Sequence, residues 1–267
     1  MAILWVVAFA LCIPLSAQSS GGRPALSTNR PNATESPDPV PQGYIHFELG
    51  WQLSGHKRGD VQLRIYDFPA TVVRFGLHRR LELSFGWAGA VWEELEVGNF
   101  VADTHGVRDG QAAAKVRLWS EKGILPRASL RGGLSLPFGD DSFSSQRADP
   151  FLFFLATHSL GERVSLNYNL GPSWSTGAES GSDRDTLSSF NYIFSVDIAL
   201  QSRLAVSLEL FGATALSASG RAQNSIDWSL GYNFRNLVIA DFIVGRGLSS
   251  TTPDWFIGSG LTFQFPL

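Results

Sequence analysis

The stretch Ile226-Asp227-Trp228-Ser229-Leu230-Gly231-Tyr232-Asn233 alternates apolar and polar residues at every step. A strand turns successive side chains to opposite faces, so Ile226, Trp228, Leu230 and Tyr232 share one face. Asp227, Ser229, Gly231 and Asn233 share the other. The same period of two recurs where Val164, Leu166, Tyr168 and Leu170 oppose Ser165, Asn167, Asn169 and Gly171. It recurs again where Leu81, Leu83, Phe85 and Trp87 oppose Glu82, Ser84 and Gly86. Composition agrees: with 27 Gly, 19 Phe and a single Met, the chain favours strands and turns over helix. The fold class is all-β.

Outward from these runs, strands are expected near residues 43–53, 61–77, 81–94, 111–119, 126–137, 150–159, 164–175, 187–199, 204–215, 225–233, 237–247 and 254–265. Alternation alone fits a soluble sandwich as well as a membrane barrel, and the connections discriminate between them. Short turns at 78–80, 161–163, 201–203 and 234–236, with 120–125 somewhat longer, alternate with longer loops near 54–60, 95–110, 138–149, 176–186, 216–224 and 248–253. Transmembrane barrels have this asymmetry, with tight periplasmic turns and longer outer loops. The reading is therefore a transmembrane antiparallel up-and-down β-barrel of about 12 strands, an even number that returns both termini to the periplasm. Three turns echo one another, with Arg80, Arg163 and Arg203 each three residues after a Leu and before another aliphatic residue. Trp51, Trp87, Trp92, Trp174, Trp228 and Trp255 fall on or near these strands, as aromatic girdles at the two membrane interfaces would.

The N-terminus reads as an export signal. Ala2 to Ile13 is unbroken apolar sequence, Pro14 ends it, and small residues follow at Ala17 and Ser19. The run is too short to span a bilayer, which takes roughly 20 residues. Residues 1–19 are assigned to a signal peptide, 20–42 to a Pro-rich periplasmic or plug segment and 43–267 to the barrel. Pro24, Pro31, Pro37, Pro39 and Pro41 exclude helix and central strand from the middle segment. The only cysteine, Cys12, would leave with the signal, so the mature chain has neither a disulfide nor a cysteine metal site.

A net charge of −3, with no Lys/Arg run longer than two residues, as at Arg79-Arg80, argues against a nucleic-acid partner. The polar faces of the strands nevertheless carry both signs. Glu48, Glu82, Asp197, Glu209, Asp227 and Asp241 are expected to line the lumen with Arg64, Arg74, Lys115, Arg117 and Arg131. In a narrow barrel such charges either pair across a closed interior or line a selective path. No catalytic residues are assigned: the histidines His46, His56, His78, His105 and His158 are scattered, and no Gly-x-Ser-x-Gly occurs. An outer-membrane hydrolase is thus the weakest reading. Asp140, Asp141 and Asp149 could hold Ca²⁺ in an outer loop, but a Gly/Asp turn explains them as well. No metal or cofactor is expected.

Three stretches resemble one family: Ser27 to Pro37 continuing through Val40 to Gly50, Gly133 to Asp141, and Pro253 to Leu261. They are similar to the outer-membrane barrel family labelled as a meta-pathway phenol-degradation transporter. The resemblance implies a barrel in the outer membrane of a Gram-negative bacterium. Its partners would be outer-membrane lipid, the barrel-insertion machinery and a small solute, aromatic or hydrophobic on the family label alone. A passive transporter and a structural or binding barrel with a closed lumen remain the two function classes. The segment 27–42 is expected to fold into the periplasmic mouth. Arg30 and Glu35 would then pair with Glu48, Arg74 or their neighbours; a flexible spacer is the alternative.

The mature chain is predicted to start between Gln18 and Gly22 and to fractionate with the outer membrane. Intact-mass measurement of membrane-extracted protein checks this, and a chain retaining Cys12 would contradict it.

Overall fold

The computed structural model describes residues 24–30, 33–176, 186–216 and 221–267; the expected signal peptide, 1–19, lies outside them. The strands are β1 (Tyr44–Arg58), β2 (Val61–His78), β3 (Leu81–Trp87), β4 (Ala90–Val97), β5 (Phe100–Val107), β6 (Gly110–Trp119) and β7 (Arg127–Leu136). They continue as β8 (Pro150–Leu160), β9 (Val164–Thr176), β10 (Thr186–Gln201), β11 (Leu204–Ala215), β12 (Gln223–Phe234), β13 (Val238–Gly247) and β14 (Trp255–Pro266). All neighbours are antiparallel, and β1 pairs with both β2 and β14, which closes the sheet.

Fourteen strands make twelve staves. The long β2 faces β4 along Val61–Phe68 and β3 along Thr71–His78. Beyond them, β5 pairs with β4 and β6 with β3. So β3 with β4 is one stave and β5 with β6 another, which removes two from fourteen. The break in the first falls at Gly89, whose φ of +98° and close approach to the Pro69 carbonyl leave no room for a side chain.

The side chains are arranged inversely to those of a soluble sandwich. The largest fully buried ones include Arg74, Lys115, His46, Glu48, Glu82 and Glu209, whereas Trp228 is 67% exposed and Phe85 52%. Lipid rewards an apolar outer wall, and the polar residues gather inside. On β12 the expected alternation appears residue by residue: Trp228, Leu230 and Tyr232 face outward, while Ser225, Asp227 and Ser229 are buried.

Three local expectations change. The loop expected at 54–60 is mostly strand, since β1 reaches Arg58 and β2 begins at Val61. The loop expected at 95–110 is largely the β4–β5 hairpin, which extends beyond the point where β3 and β6 take over. Arg64 does not face the lumen. Strict alternation puts it on the face of Arg74, but the register between β1 and β2 shifts at Gly50/Gln52, so Phe68 and Pro69 add a residue to β2. A bulge of this kind reverses the parity of everything beyond it. Asp67 and Ile65, opposite Gln52 and Ser54, point inward, and Arg64 turns outward to pair with Glu94 at 2.7 Å.

The register of β12 yields a direct test. Leu230→Arg should destabilise the folded barrel by roughly 2–4 kcal/mol and Ser229→Arg by much less. Denaturant titration in lipid vesicles measures both, and equal penalties or the reverse order would contradict the assignment.

Candidate functional site

The N-terminal segment does not trail away from the barrel. Just before β1 the chain turns back, and Val40, 1% exposed, donates its N–H to Glu82 Oε2 of β3 at 2.8 Å. Going upstream, the Pro37 carbonyl accepts from the Ser129 hydroxyl of β7, and the Ser36 carbonyl accepts from Lys115 Nζ of β6 at 2.9 Å. Asp38 pairs with Arg117 and, at 3.3 Å, with Arg127. The backbone of Glu35 is clamped by Asn169 of β9, whose Oδ1 accepts from Glu35 N–H at 2.6 Å and whose Nδ2 donates to the Glu35 carbonyl at 3.0 Å.

The path continues on the opposite wall. Glu209 of β11 accepts from the Ala33 and Thr34 N–H groups, both at 2.7 Å, and from the Thr34 hydroxyl. The Thr28 and Thr262 hydroxyls meet at 2.7 Å, and Asn29 N–H donates to Glu48 Oε1 at 3.3 Å. Arg30 donates to the Ser259 carbonyl at 3.2 Å and pairs with Asp241 of β13 at 3.7 Å. Its guanidinium lies against two facing glycines, Gly50 of β1 and Gly260 of β14, where a Cβ would occupy the same space. A Pro-rich strip cannot join the sheet as a strand, so its backbone groups are satisfied by side chains of the wall.

The wall charges are segregated. Arg74, Lys115, Arg117 and Arg131 lie on β2, β6 and β7, and Asp197, Glu209, Asp227 and Asp241 on β10 to β13. These are opposite arcs of the ring. On the cationic arc, Arg74 sits 3.0 Å from both Glu48 and Glu82. Lys115 lies 3.7 Å from Glu82 and 3.5 Å from Glu35. Arg131 lies 3.2 Å from Glu35. Burial alone would raise the Glu35 carboxyl, but Arg131, Lys115 and Arg74 hold it below the ordinary carboxylate value. The segment thus presents Glu35 and Asp38 to the cationic arc and Arg30 to the acidic one.

The remaining candidates are distributed as follows. Asp197 is taken up by the wall, accepting from Asn167 Nδ2 at 2.7 Å and the Ser207 hydroxyl at 2.6 Å. Asp227 lies opposite Glu209 in register and is buried, and among the described residues neither of its carboxylate oxygens has a hydrogen-bond donor. The segment charges find neighbours of the expected partners, with Arg30 on Asp241 rather than Glu48, and Glu35 on Lys115 and Arg131 rather than Arg74. The clamps supplied by Thr34, Asn169, Ser129 and Asp38 were not singled out in the sequence, where uncharged Thr, Asn and Ser on polar faces carry no distinguishing signal. Two of the three loop carboxylates considered for Ca²⁺ act as staples: Asp140 accepts from Val107 N–H at 2.9 Å, and Asp149 from Thr176 N–H at 2.9 Å.

Toward the long-loop end the interior opens. A cavity of about 490 Å³ is lined by Arg30, Glu48, Gln111, Phe151, Trp174 and others, and a smaller one of about 250 Å³ by Phe153, Ile193 and Phe211 among others.

Solved structures share this architecture. A COG4313 outer membrane channel from Pseudomonas putida F1 matches with a TM-score of 0.67 at 15% identity, covering 85% of this chain and 97% of that one. The translocator domain of the autotransporter NalP from Neisseria meningitidis matches at 0.53 and 11% identity, over 83% of this chain and 88% of that one. The NanC porin matches at 0.52 and 8% identity, over 82% and 98%. No curated protein matches the chain at the sequence level. At these identities the likeness is one of fold, and with the apolar outer wall it makes the chain an outer-membrane β-barrel. The family model described as "Putative MetA-pathway of phenol degradation" matches residues 28–265, from the interior segment through the last stave, and the chain belongs to that family.

Proposed function

We propose that this barrel passes a small solute across the outer membrane and that residues 27–42 are a plug limiting the path. One observation carries the reading: the segment's charges complement the wall arc by arc, with Glu35 and Asp38 on the cationic side and Arg30 on the acidic side. A spacer would need no such match. The contacts are single hydrogen bonds and ion pairs rather than a continuous β-ladder, so each is individually weak enough to exchange for water. Above the plug, Phe151, Phe153, Ile193, Phe211 and Phe256 give the interior an apolar side. That lining supports an aromatic or otherwise hydrophobic solute, as the family description also does.

A second reading, a binding barrel with a permanently closed lumen, is favoured by the number of buried anchors on the segment, Glu209 with Thr34 and Asn169 with Glu35 foremost. One experiment separates them. Deleting residues 27–42 should raise single-channel conductance in planar bilayers while heat-modifiable mobility in detergent gels stays unchanged. Unchanged conductance in a folded deletion variant would contradict the plug.

Gly50→Ala gives a milder probe, because the new methyl group would displace the Arg30 guanidinium from its cradle. Its conductance should fall between those of the wild type and the deletion variant, and a wild-type value would show that Arg30 does not latch the segment.

A further inference from the structure

Glu35 differs from the other segment anchors. Its backbone is clamped on both sides by Asn169, so the position of the residue is fixed independently of its carboxylate. That carboxylate reaches two buried cations, yet Oε2 forms no hydrogen bond with either. Charge is matched there and hydrogen-bond geometry is not. The cations also differ in what the wall offers them. Arg74 has Glu48 and Glu82, and Lys115 has Glu82. Among the described residues Arg131 pairs with no wall carboxylate, and its ion pair is with Glu35. When the segment withdraws, a buried guanidinium loses its counter-charge, which is costly unless another anion replaces it.

The surroundings of Arg131 narrow the choice of anion. Its guanidinium carbon lies 4.8 Å from the centroid of Phe151, and Phe153 stands 5.9 Å from Phe151. Phe151 also lines the larger cavity, whose volume of about 490 Å³ suits a ring compound. A guanidinium stacked on an aromatic face still presents its donor fork edge-on, where a carboxylate binds in bidentate fashion. An aliphatic acid would satisfy the charge and leave the cavity side of Phe151 uncovered. A neutral aromatic would cover the face and leave the charge unpaired.

We propose that Lys115, Arg131 and Phe151 form a binding site for a small aromatic carboxylate, and that Glu35 holds its anion position while the segment is seated. This rests on the reading of the barrel as a solute path with a displaceable plug, and it names the solute class. The incoming carboxylate takes the place of Glu35 on the two cations while its ring covers Phe151 and extends into the cavity. Solute and plug therefore compete for one position.

Calorimetric titration of the full-length mature barrel, refolded in detergent, tests this with benzoate, benzyl alcohol and acetate as probes. Glu35→Gln keeps the Asn169 clamp and removes the competing charge, so benzoate should bind it on the order of tenfold more tightly than it binds the wild type. In that variant benzyl alcohol and acetate should each bind at least about tenfold more weakly than benzoate. Adding Arg131→Gln should abolish benzoate binding, and adding Phe151→Leu instead should bring benzoate down toward acetate. The second combination keeps both cations, so it serves if loss of Arg131 prevents folding. Equal benzoate affinity in the wild type and a folded Glu35→Gln variant would overturn the proposal, as would acetate or benzyl alcohol matching benzoate. Titration needs no ion flow, so benzoate binding in a barrel that stays closed on plug deletion would remove the solute path and leave the site. Conductance without selective benzoate binding would remove the site alone.

Discussion

A peptide N–H or C=O that faces lipid finds no partner outside the chain, and each one left unpaired costs several kcal/mol. Closing the sheet through the β1–β14 and β1–β2 ladders removes both edges and meets that constraint for all twelve staves. Closure has a second consequence. With one face of every stave held against hydrocarbon, the polar residues of the alternating strands all turn to the same enclosed volume. Arg74, Lys115, Glu48, Glu82, Glu209 and Asp227 are buried there because the outside of the barrel will not hold them.

Charges enclosed in this way must pair or stay wet. Removing one partner of a buried pair typically costs about 3–5 kcal/mol, because the other charge stays behind uncompensated. The wall solves part of this itself by setting Arg74 between Glu48 and Glu82. The N-terminal strip meets a further part, bringing Glu35 and Asp38 to one arc and Arg30 to the other. Its prolines matter here. They keep it from adding to the sheet, so its N–H and C=O groups are left for Glu82, Glu209, Asn169, Ser129 and Lys115 to satisfy. The strip and the barrel are thus two answers to one problem, and on the proposed reading the strip is the answer that can be withdrawn.

The fold was legible because a half-buried strand writes its period directly into the sequence. Ile226 to Asn233 predicts the faces of β12, and the alternation of short and long connections separates a barrel from a sandwich. Legibility failed where parity broke. The extra residue at Phe68-Pro69 turns Arg64 away from Arg74, and its one sequence mark is Pro69, which a central strand admits only at a bulge; strict alternation runs straight through it. The β4–β5 hairpin was hidden for a related reason: it continues the staves of β3 and β6 past the break at Gly89, where the period of two is interrupted. The composition of the interior was legible, since charged residues on the polar faces of strands had to gather inside. Their partners were not, because pairing across a lumen depends on shear and stagger that a single strand does not encode. The clamps at Thr34 and Asn169 join residues 175 and 134 positions apart in the chain, respectively, and such contacts leave no local trace.

Residues 27–30 and 33–42 are seated inside the barrel against specific wall residues. The facing hydroxyls of Thr28 and Thr262, 2.7 Å apart, offer the most direct measurement. The chain's only cysteine lies at position 12, in the stretch read as a signal peptide, so a mature Thr28→Cys/Thr262→Cys double variant would carry just the introduced pair. Mild oxidation in isolated outer membranes should close an intramolecular disulfide, read as loss of two hydrogens in intact mass and resistance to maleimide. Two thiols that both react with maleimide in a folded, heat-modifiable barrel would contradict it.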